Sequence, residues 1–418
     1  MLDIRFIRAN PDLVKAAAAN KNEKADIDAL LALDDKKRGL QFAFENLRAH
    51  QNKVSGDIAL KKRNKEDAGE LLEEMGKVAA EIKEINGQLS EINTELDALL
   101  LTVPNIPDAQ VPVGKDESAN KLVKTWGNPP SFDFEPADHI TLMEANKMLD
   151  LQRGAKISGS GFPVYTGTGA MLERSLINFM LSKHILEHGY TELHVPLLVN
   201  RATMTGTGQL PKLEDDMYHV DLDDLFLIPT AEVPVTNIHG GEIMDLDTLP
   251  LKYVAYTPCF RREAGSYGKD TKGLQRLHQF NKVEMVRFVE PEDSEQALEE
   301  MLADAESILQ HFGLHYRVIE LCTGDLSFAS ARTYDIEVWS AATQKYLEVS
   351  SVSNFRDFQA RRANIRYRNK EGRPAFVHTL NGSGVATPRL MIALIEHFQA
   401  ADLKLRWDEV FKLLAKIE

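Results

Sequence analysis

Cysteine is nearly absent from this chain of 418 residues, and no long apolar run occurs in it. The only cysteines are Cys259 and Cys322, which excludes a framework of several disulfide bonds and a four-cysteine zinc site. No apolar run is long enough to cross a bilayer, and the N-terminus lacks the basic-then-apolar pattern of a secretory signal. These absences predict a protein of the reducing cytoplasm that has no membrane partner.

Two common nucleotide-binding motifs are missing as well. The sequence has no G-x-x-x-x-G-K-[ST] phosphate loop, and no Rossmann glycine fingerprint follows a predicted strand. If nucleotides bind, arginine side chains and a metal ion must hold them instead. The formal net charge of −14 argues against indiscriminate binding to polyanions, so a nucleic acid would have to meet a local basic patch.

The first hundred or so residues have the pattern of two long helices. Between Leu71 and Leu99, apolar residues alternate at spacings of four and three, which is a heptad seam. A second, less regular seam runs from Leu33 to Ile58, and the polar stretch 61–69 between the seams suits a turn. This pattern predicts an antiparallel helical hairpin whose helices are each about 50 Å long, at about 1.5 Å per residue.

We call this predicted hairpin, over residues 27–100, the arm. Its cations at the turn and along the first helix are Arg48, Lys53, Lys61, Lys62, Arg63 and Lys65. A long helical hairpin with cations at its end can reach a phosphate backbone far from the rest of the protein. A dimerisation or spacer coiled coil with solvated charges explains the same pattern.

Prolines divide the chain into two predicted domains. Pro104, Pro107 and Pro112 prevent the second helix from continuing and mark a linker. We expect an N-terminal domain, a linker and a second domain, which cover residues 1–103, 104–125 and 126–418. Helical and strand-like runs alternate in the last part, which predicts an α+β fold around a mainly antiparallel sheet flanked by helices.

Residues 257–286 combine charges, an aromatic ring and glycines in one predicted hairpin. The charged and aromatic residues of interest are Arg261, Arg262, Glu263, Arg276, Phe280 and Glu284, and the glycines in the connection are Gly265, Gly268 and Gly273. A guanidinium fork suits phosphate oxygens, and a glutamate can hold a metal ion or an amino group. A nucleotide clamp and an ordinary surface hairpin with solvated charges both fit this pattern.

Three further segments carry polar residues where a buried strand would favour apolar ones. Residues 230–232 follow an apolar run, residues 348–351 end a predicted strand, and residues 381–389 open a predicted helix. Glycines in the last segment let the backbone approach a ligand, and its arginine can face a phosphate. As alternatives, Glu232 is a helix cap and Ser383 is a turn residue.

The order and spacing of these segments resemble those of the bacterial-type seryl-tRNA synthetases, and the resemblance covers essentially the whole chain. Residues 261–284 are similar to the second signature motif of class II aminoacyl-tRNA synthetases, and residues 382–389 to the third. The predicted helix 176–189, with the strand after it, resembles the first motif, which builds the dimer interface in that family. The arm and the segments 230–232, 322–325 and 353–362 resemble the seryl branch specifically.

The resemblance implies a serine–tRNA ligase that uses ATP and Mg²⁺. Serine and ATP would form seryl-adenylate and pyrophosphate, and the seryl group would then pass to the 3′-terminal adenosine of tRNA(Ser). The resemblance also implies a homodimer and leaves open whether the tRNA for selenocysteine is charged too. The alternatives are an adenylating enzyme with a non-tRNA acceptor, whose homologues lack the arm, and a non-catalytic descendant, in which the phosphate-binding positions would have eroded.

The resemblance also assigns roles to individual residues. Arg261 would hold the α-phosphate and Arg389 the γ-phosphate, and these two residues with Glu348 would be the catalytic groups. The ATP-binding residues would be Arg261, Arg262, Glu263, Arg276, Phe280, Glu348, Val349, Ser350, Ser351 and Arg389. Magnesium would bind Glu348 and Ser351. The serine-binding residues would be Thr230, Ala231, Glu232, Glu284 and Ser383.

Overall fold

The computed structural model describes residues 1–264 and 272–415, so Gly265 and Gly268 of the predicted connection lie outside the described residues. The chain divides into two compact units. We call residues 2–19 and 23–104 the helical unit, and we call Met1, residues 20–22 and the chain from Asn105 onward the sheet unit. No described helix is both long enough and apolar enough to cross a membrane.

The described helices are α1 (Ile4–Ala9), α2 (Pro11–Asn20), α3 (Ile27–Arg63), α4 (Gly69–Leu101), α5 (His139–Ala145), α6 (Leu151–Ser158), α7 (Thr168–Leu186), α8 (Arg201–Thr207), α9 (Glu232–Asn237), α10 (Ser294–His311), α11 (Phe358–Ala363), α12 (Thr387–His397) and α13 (Trp407–Leu414). The described strands are β1 (Lys121–Trp126), β2 (Leu149–Asp150), β3 (Val164–Tyr165), β4 (Thr191–Glu192), β5 (Leu198–Asn200), β6 (His219–Val220), β7 (Leu225–Leu227), β8 (Ile243–Met244), β9 (Leu251–Phe260), β10 (Gln279–Val289), β11 (Tyr316–Glu320), β12 (Arg332–Ser340), β13 (Lys345–Asn354), β14 (Arg366–Arg368), β15 (Pro374–Phe376), β16 (His378–Ala386), β17 (Gln399–Ala400) and β18 (Lys404–Leu405).

The helical unit contains the hairpin that the heptad spacing predicts. Helices α3 and α4 pack against each other, and the residues buried between them include Val54, Ile58, Val78 and Ile82. Asp26 begins α3 as its N-cap, because its carboxylate accepts the Ala29 backbone N–H over 2.9 Å. The arm is therefore confirmed as an antiparallel pair of long helices.

An eight-stranded sheet forms the centre of the sheet unit, in the order β1-β11-β12-β13-β16-β10-β9-β4. Neighbouring strands are antiparallel except β4 and β9, which are parallel, so the prediction of a mainly antiparallel sheet is confirmed. Helices α7, α10 and α12 cover the sheet with residues such as Leu176, Met301 and Leu390, all fully buried. Strand β1 begins at Lys121, within the stretch expected to be a linker, and forms one edge of the sheet.

A buried arginine ties strand β10 to helix α10. Arg287 donates hydrogen bonds to the Tyr190 hydroxyl at 2.8 Å and to the carboxylates of Glu300 and Asp304 at 2.7 Å each. Only 2% of its side chain is exposed, so its charge depends on these partners rather than on water. The cluster is a structural ion-pair network that lies outside the cavity described below.

We expect Arg287→Met to lower the free energy of unfolding of the sheet unit by about 3–5 kcal/mol, because it leaves two carboxylates without their buried cation. Denaturant unfolding followed by tryptophan fluorescence measures this, since Trp126, Trp339 and Trp407 all lie in the sheet unit. The control is Arg153→Met, which removes a 79% exposed arginine that pairs with Asp150. Equal losses in the two variants would contradict the structural role of Arg287.

Candidate active site

A cavity of about 580 Å³ lies in the sheet unit, lined by residues of β10, β13 and β16 and by Arg261, which follows β9. The predicted site residues that line it are Thr230, Glu232, Arg261, Glu263, Arg276, Phe280, Glu284, Glu348, Val349, Ser351, Ser383 and Arg389. These residues come from distant parts of the sequence, and the pairing of the central strands brings them together. Glu284 on β10, for example, lies directly opposite Ser383 on β16.

The alternation of side chains along each strand decides which residues face the cavity. On β10, Phe280, Lys282 and Glu284 are spaced by two and all line it. On β13, Ser351 and Ser353 line the cavity, whereas the intervening Val352 does not; beside a register irregularity at Val349, both Glu348 and Val349 line it.

Three of the predicted site residues do not line the cavity. Ser350 is buried and donates its hydroxyl hydrogen to the Ser383 carbonyl over 2.6 Å, because alternation directs it away. Ala231 is fully buried in a separate apolar cluster. Arg262 places its guanidinium 5.7 Å from the ring centroid of Tyr218. If these residues touch a ligand, they do so through backbone atoms or after a movement.

Arginines mark one side of the cavity. The Arg389 guanidinium donates to the backbone carbonyl of Glu348 at 2.7 Å and to that of Gln275 at 3.3 Å. The Arg261 guanidinium lies 5.2 Å from the ring centroid of Phe280, and Arg276 pairs with Glu263 at 3.2 Å. Arginine has five N–H donors, so a guanidinium anchored in this way retains capacity to bind an anion such as a phosphate.

Buried charges mark the other side. The Lys282 ammonium lies 2.6 Å from a Glu284 carboxylate oxygen and donates to the Thr230 hydroxyl at 2.9 Å. The Gln359 side-chain amide donates to Glu232 at 2.7 Å. All five side chains are buried, so this part of the site holds two carboxylates and one ammonium away from water.

The charge of Glu232 is the least compensated in this group. Burial and, after it, the nearby carboxylate of Glu284 raise its pKa to about 7. The hydrogen bond from Gln359 and the charge of Lys282 oppose the rise only in part. An added ammonium group would therefore find a carboxylate that lacks its own cation.

Burial also raises the pKa of Asp335 well above its ordinary value, and the charge of Glu348 adds to the effect. Asp335 lies opposite Ser351 in the register of β12 and β13 and shares a side-chain hydrogen bond with it. Its Oδ1 atom is buried and has no hydrogen-bond partner within the described chain. Asp335, Glu348 and Ser351 thus form a cluster of oxygen atoms that an added cation would stabilise.

Backbone strain accompanies the site. Val385 has a φ of 97° and Glu263 a φ of 53°, both in a region that residues with side chains rarely adopt. Val385 is β-branched, which makes this conformation especially costly, and it lies between Ser383 and Arg389 in sequence. The surrounding strands and helices must stabilise this conformation.

The predicted site residues do not include Lys282 and Asn381, which line the cavity, or Gln359, although the segments 353–362 and 381–389 contain two of them. Lys282 could have been found, because it lies between Phe280 and Glu284 at the two-residue spacing that shares a strand face. Gln359 could not, because only tertiary packing of α11 brings it to Glu232. The alternatives for Glu232 and Ser383 are wrong, since Glu232 begins α9 rather than capping it and Ser383 lies within β16.

The arm cations lie in the helical unit. Arg48 and Lys53 are exposed on α3, and Lys61, Lys62 and Arg63 occupy its last turn. Lys65 follows in the turn with a φ of 59°. Cations at the C-terminus of a helix also interact favourably with its dipole, so their position has a structural benefit of its own.

An antiparallel sheet that brings arginines and carboxylates from separate strands into one cavity is the architecture of a class II aminoacyl-tRNA synthetase core. Residues 214–398 match the family model of the tRNA synthetase class II core domain (G, H, P, S and T), and residues 1–107 match that of the seryl-tRNA synthetase N-terminal domain. The serine–tRNA ligase of Caldicellulosiruptor saccharolyticus is 55% identical over 412 residues, which are 99% of this chain and 98% of that protein. The chain belongs to the seryl-tRNA synthetase family.

Solved structures agree. A crystal structure of seryl-tRNA synthetase from Pyrococcus horikoshii complexed with ATP has a TM-score of 0.93 and 36% identity, covering 99% of this chain and 98% of that one. The cytoplasmic serine–tRNA ligase of Naegleria fowleri in complex with AMP has a TM-score of 0.87 and 25% identity, covering 99% and 97%. The resemblance that the motifs indicate is thus confirmed, and the alternative of a non-tRNA acceptor receives no support.

The raised pKa of Glu232 predicts a pH-dependent loss of stability. The ordinary value is 4.5 and the folded value about 7, so the folded state binds more protons between these pH values, and stability falls as pH rises through this window. We expect Glu232→Gln to match the wild type near pH 4.5 and to exceed its free energy of unfolding by about 3 kcal/mol at pH 8, at 1.36 kcal/mol per pKa unit. Denaturant unfolding at both pH values measures the difference.

The control is Glu192→Gln. Because the Glu192 side chain is exposed, this substitution should leave the free energy of unfolding unchanged at both pH values. A Glu232→Gln variant that is no more stable than the wild type at pH 8 would show that Glu232 is ionised there without cost.

Proposed function

We propose that this protein activates L-serine with ATP to form seryl-adenylate and then transfers the seryl group to the 3′-terminal adenosine of tRNA(Ser). The observation that supports this proposal most strongly is that one cavity contains both several arginines and a buried group with two carboxylates. The similarity to serine–tRNA ligases over the full length of the chain supports it as well. The first side suits a triphosphate, and the second suits a small amino acid with an ammonium group and a hydroxyl.

Adenylate formation needs positioning and charge neutralisation rather than a protein nucleophile. An oxygen of the serine carboxylate attacks the α-phosphorus, the bond from that phosphorus to the bridging oxygen breaks, and pyrophosphate leaves with the electron pair. Arg261 is suited to the α-phosphate and Arg389 to the γ-phosphate, since both guanidiniums line the cavity. Phe280 offers an aromatic face for adenine.

The oxygen cluster fits magnesium. Mg²⁺ is usually held by one or two carboxylates together with substrate phosphates. Glu348 and Ser351 line the cavity, and the orphaned Oδ1 of Asp335 lies in the same cluster. Within the described residues, no group of three or more histidine, cysteine or acidic side chains could hold a metal ion by itself. Bound there, Mg²⁺ would neutralise phosphate charge.

The buried charges explain how serine is selected. The uncompensated carboxylate of Glu232 suits the substrate ammonium, while Thr230, Glu284 and Ser383 offer partners to its hydroxyl. Alanine lacks the hydroxyl that these groups would bind, and a site built to hydrogen-bond a substrate hydroxyl can reject such an analogue by several orders of magnitude. A threonine methyl group would need space among side chains that are already packed.

A homodimer, a cytoplasmic location and a tRNA partner complete the proposal. Helix α7 exposes Met171 and Leu186, and Leu198 is exposed on β5, which supports an interface at the region that resembles the first motif. Both cysteines are free and buried, as suits a reducing compartment. Whether the protein also charges the tRNA for selenocysteine can be tested by an aminoacylation assay with that tRNA.

We expect Arg389→Ala to lower serine-dependent ATP–pyrophosphate exchange by at least about 100-fold, because a preorganised cation next to the transferring phosphates is lost. Exchange of labelled pyrophosphate measures the rate, and the thermal midpoint should stay within a few degrees of the wild type. Arg406→Ala is the control, since that arginine lies outside the cavity and contacts Glu409 and His397. Near-normal exchange in Arg389→Ala would contradict the ATP assignment.

Replacement of residues 28–99 by a short loop should leave pyrophosphate exchange intact and lower kcat/KM for tRNA on the order of 100-fold, because phosphate contacts are lost. A variant with glutamine at positions 61, 62, 63 and 65 keeps both helices and removes only charge. It should weaken tRNA binding and reduce its dependence on salt. Unchanged aminoacylation in the deletion variant would mean that the arm is only structural.

A further inference from the structure

A buried histidine outside the cavity holds the backbone next to the nucleotide-facing residues. The backbone N–H of Leu274 donates a hydrogen bond of 3.2 Å to Nε2 of His139, the first residue of α5. His139 is 4% exposed and does not line the cavity, whereas Leu274, Gln275 and Arg276 do. The proposed chemistry assigns no role to this contact.

A buried glutamate orients the histidine. Because Nε2 accepts the bond from Leu274, the ring proton lies on Nδ1, which is 3.4 Å from the Glu396 carboxylate. The same carboxylate accepts the backbone N–H of His139 at 3.2 Å, the Ser340 hydroxyl at 2.6 Å and the Ala342 N–H at 3.3 Å. A carboxylate with this many donors holds the imidazole in one position and one tautomer.

Leu274 and Gln275 are both linked to helix α12, the first through His139 and Glu396 and the second through Arg389. Arg389 in the first turn of α12 donates to the Gln275 carbonyl over 3.3 Å, and Glu396 lies further along α12. The chain at 274–275 is therefore held both by Arg389, which lines the cavity, and by His139, which does not. The next residue, Arg276, pairs with Glu263 and also lines the cavity.

Gly273 is required for this close approach. Its φ is 63°, and a Cβ atom there would lie 2.2 Å from Nε2 of His139. Even an alanine side chain would collide with the imidazole, so His139 can approach the backbone here only because residue 273 is glycine.

We propose that His139, oriented by Glu396, is a positioning residue for ATP. It fixes the backbone at Leu274 so that Arg276 and the carbonyl that anchors Arg389 take the geometry that binds the phosphates. This inference rests on the proposed function, since it assumes that these arginines meet ATP. The proposed serine-binding residues Thr230 and Glu232 belong to a different part of the chain, at the start of α9. Loss of the bond between His139 and Leu274 should therefore weaken ATP binding and leave serine binding intact.

The test is steady-state ATP–pyrophosphate exchange in the full-length protein, with KM measured separately for ATP and for serine. The variants are His139→Leu, His139→Gln, Gly273→Ala and His315→Leu. His315 is a matched control, because it is 5% exposed, lies outside the cavity and bonds through both ring nitrogens, to the Trp126 carbonyl at 2.9 Å and the Tyr346 hydroxyl at 2.8 Å.

We expect His139→Leu to raise KM for ATP about ten-fold, the effect of losing one buried hydrogen bond, with KM for serine within about two-fold of the wild type. The amide oxygen of His139→Gln can replace Nε2 as the acceptor and should restore most of the affinity for ATP. Gly273→Ala should raise KM for ATP without removing the histidine, and it carries the test if His139→Leu fails to fold. His315→Leu should change neither KM.

An unchanged KM for ATP in both His139→Leu and Gly273→Ala would overturn the proposal. A rise in both KM values together, matched by His315→Leu, would also overturn it, since that result indicates general loss of packing. A wild-type protein without serine-dependent exchange would instead refute the proposed function.

Discussion

The antiparallel pairing of β10 with β9 and β16 is the constraint on which the site depends. It sets Glu284 opposite Ser383 on one neighbour and Ala255 on the other. A slip of one residue would turn Lys282 and Glu284 away from the cavity and send apolar neighbours into it. The register is held because β10 is buried on both faces. Met285 packs in the core beneath α7 and α12, and Val286 and Phe288 on the opposite face pack in a second apolar cluster. The same packing that stabilises the sheet thus fixes the positions of the charged groups.

Buried charged groups in this protein are of two kinds: those whose charge is compensated by other residues, and those whose charge is not. Arg287 has a hydroxyl and two carboxylates around it, so its burial is offset within the protein. Glu232 and Asp335 lack such compensation, and the pKa of each is raised by burial and by a neighbouring carboxylate. Groups of this kind cost stability in the empty protein and are typical of sites where a substrate or metal supplies the missing charge. Glu232 lines the cavity, and Asp335 lies next to Ser351, which also lines it.

How much could be predicted from the sequence depended on how local the signal was. Heptad spacing alone predicted the arm, because α3 and α4 bury their apolar seams against each other. Most of the predicted site residues line the cavity, but they are a minority of the residues that line it. A motif does not state which residue of a strand faces the cavity, and the Ser350 side chain bonds the Ser383 carbonyl instead of lining it. The contact of Gln359 with Glu232 could not be predicted, because the two residues are distant in sequence. Strand β1 escaped prediction because all its residues are exposed, so no alternation of apolar and polar residues marks it.

The net charge of −14 constrains how the arm can meet RNA. The cations in the last turn of α3 would be favoured there by the helix dipole alone, so their position does not by itself indicate a nucleic acid. What favours RNA is the combination of such a tip with a long exposed hairpin on a chain that is acidic elsewhere. An acidic protein gains little from nonspecific attraction, and specificity is the ratio of specific to nonspecific affinity. Restricting positive charge to a few surfaces therefore lowers the background binding against which one tRNA must be selected.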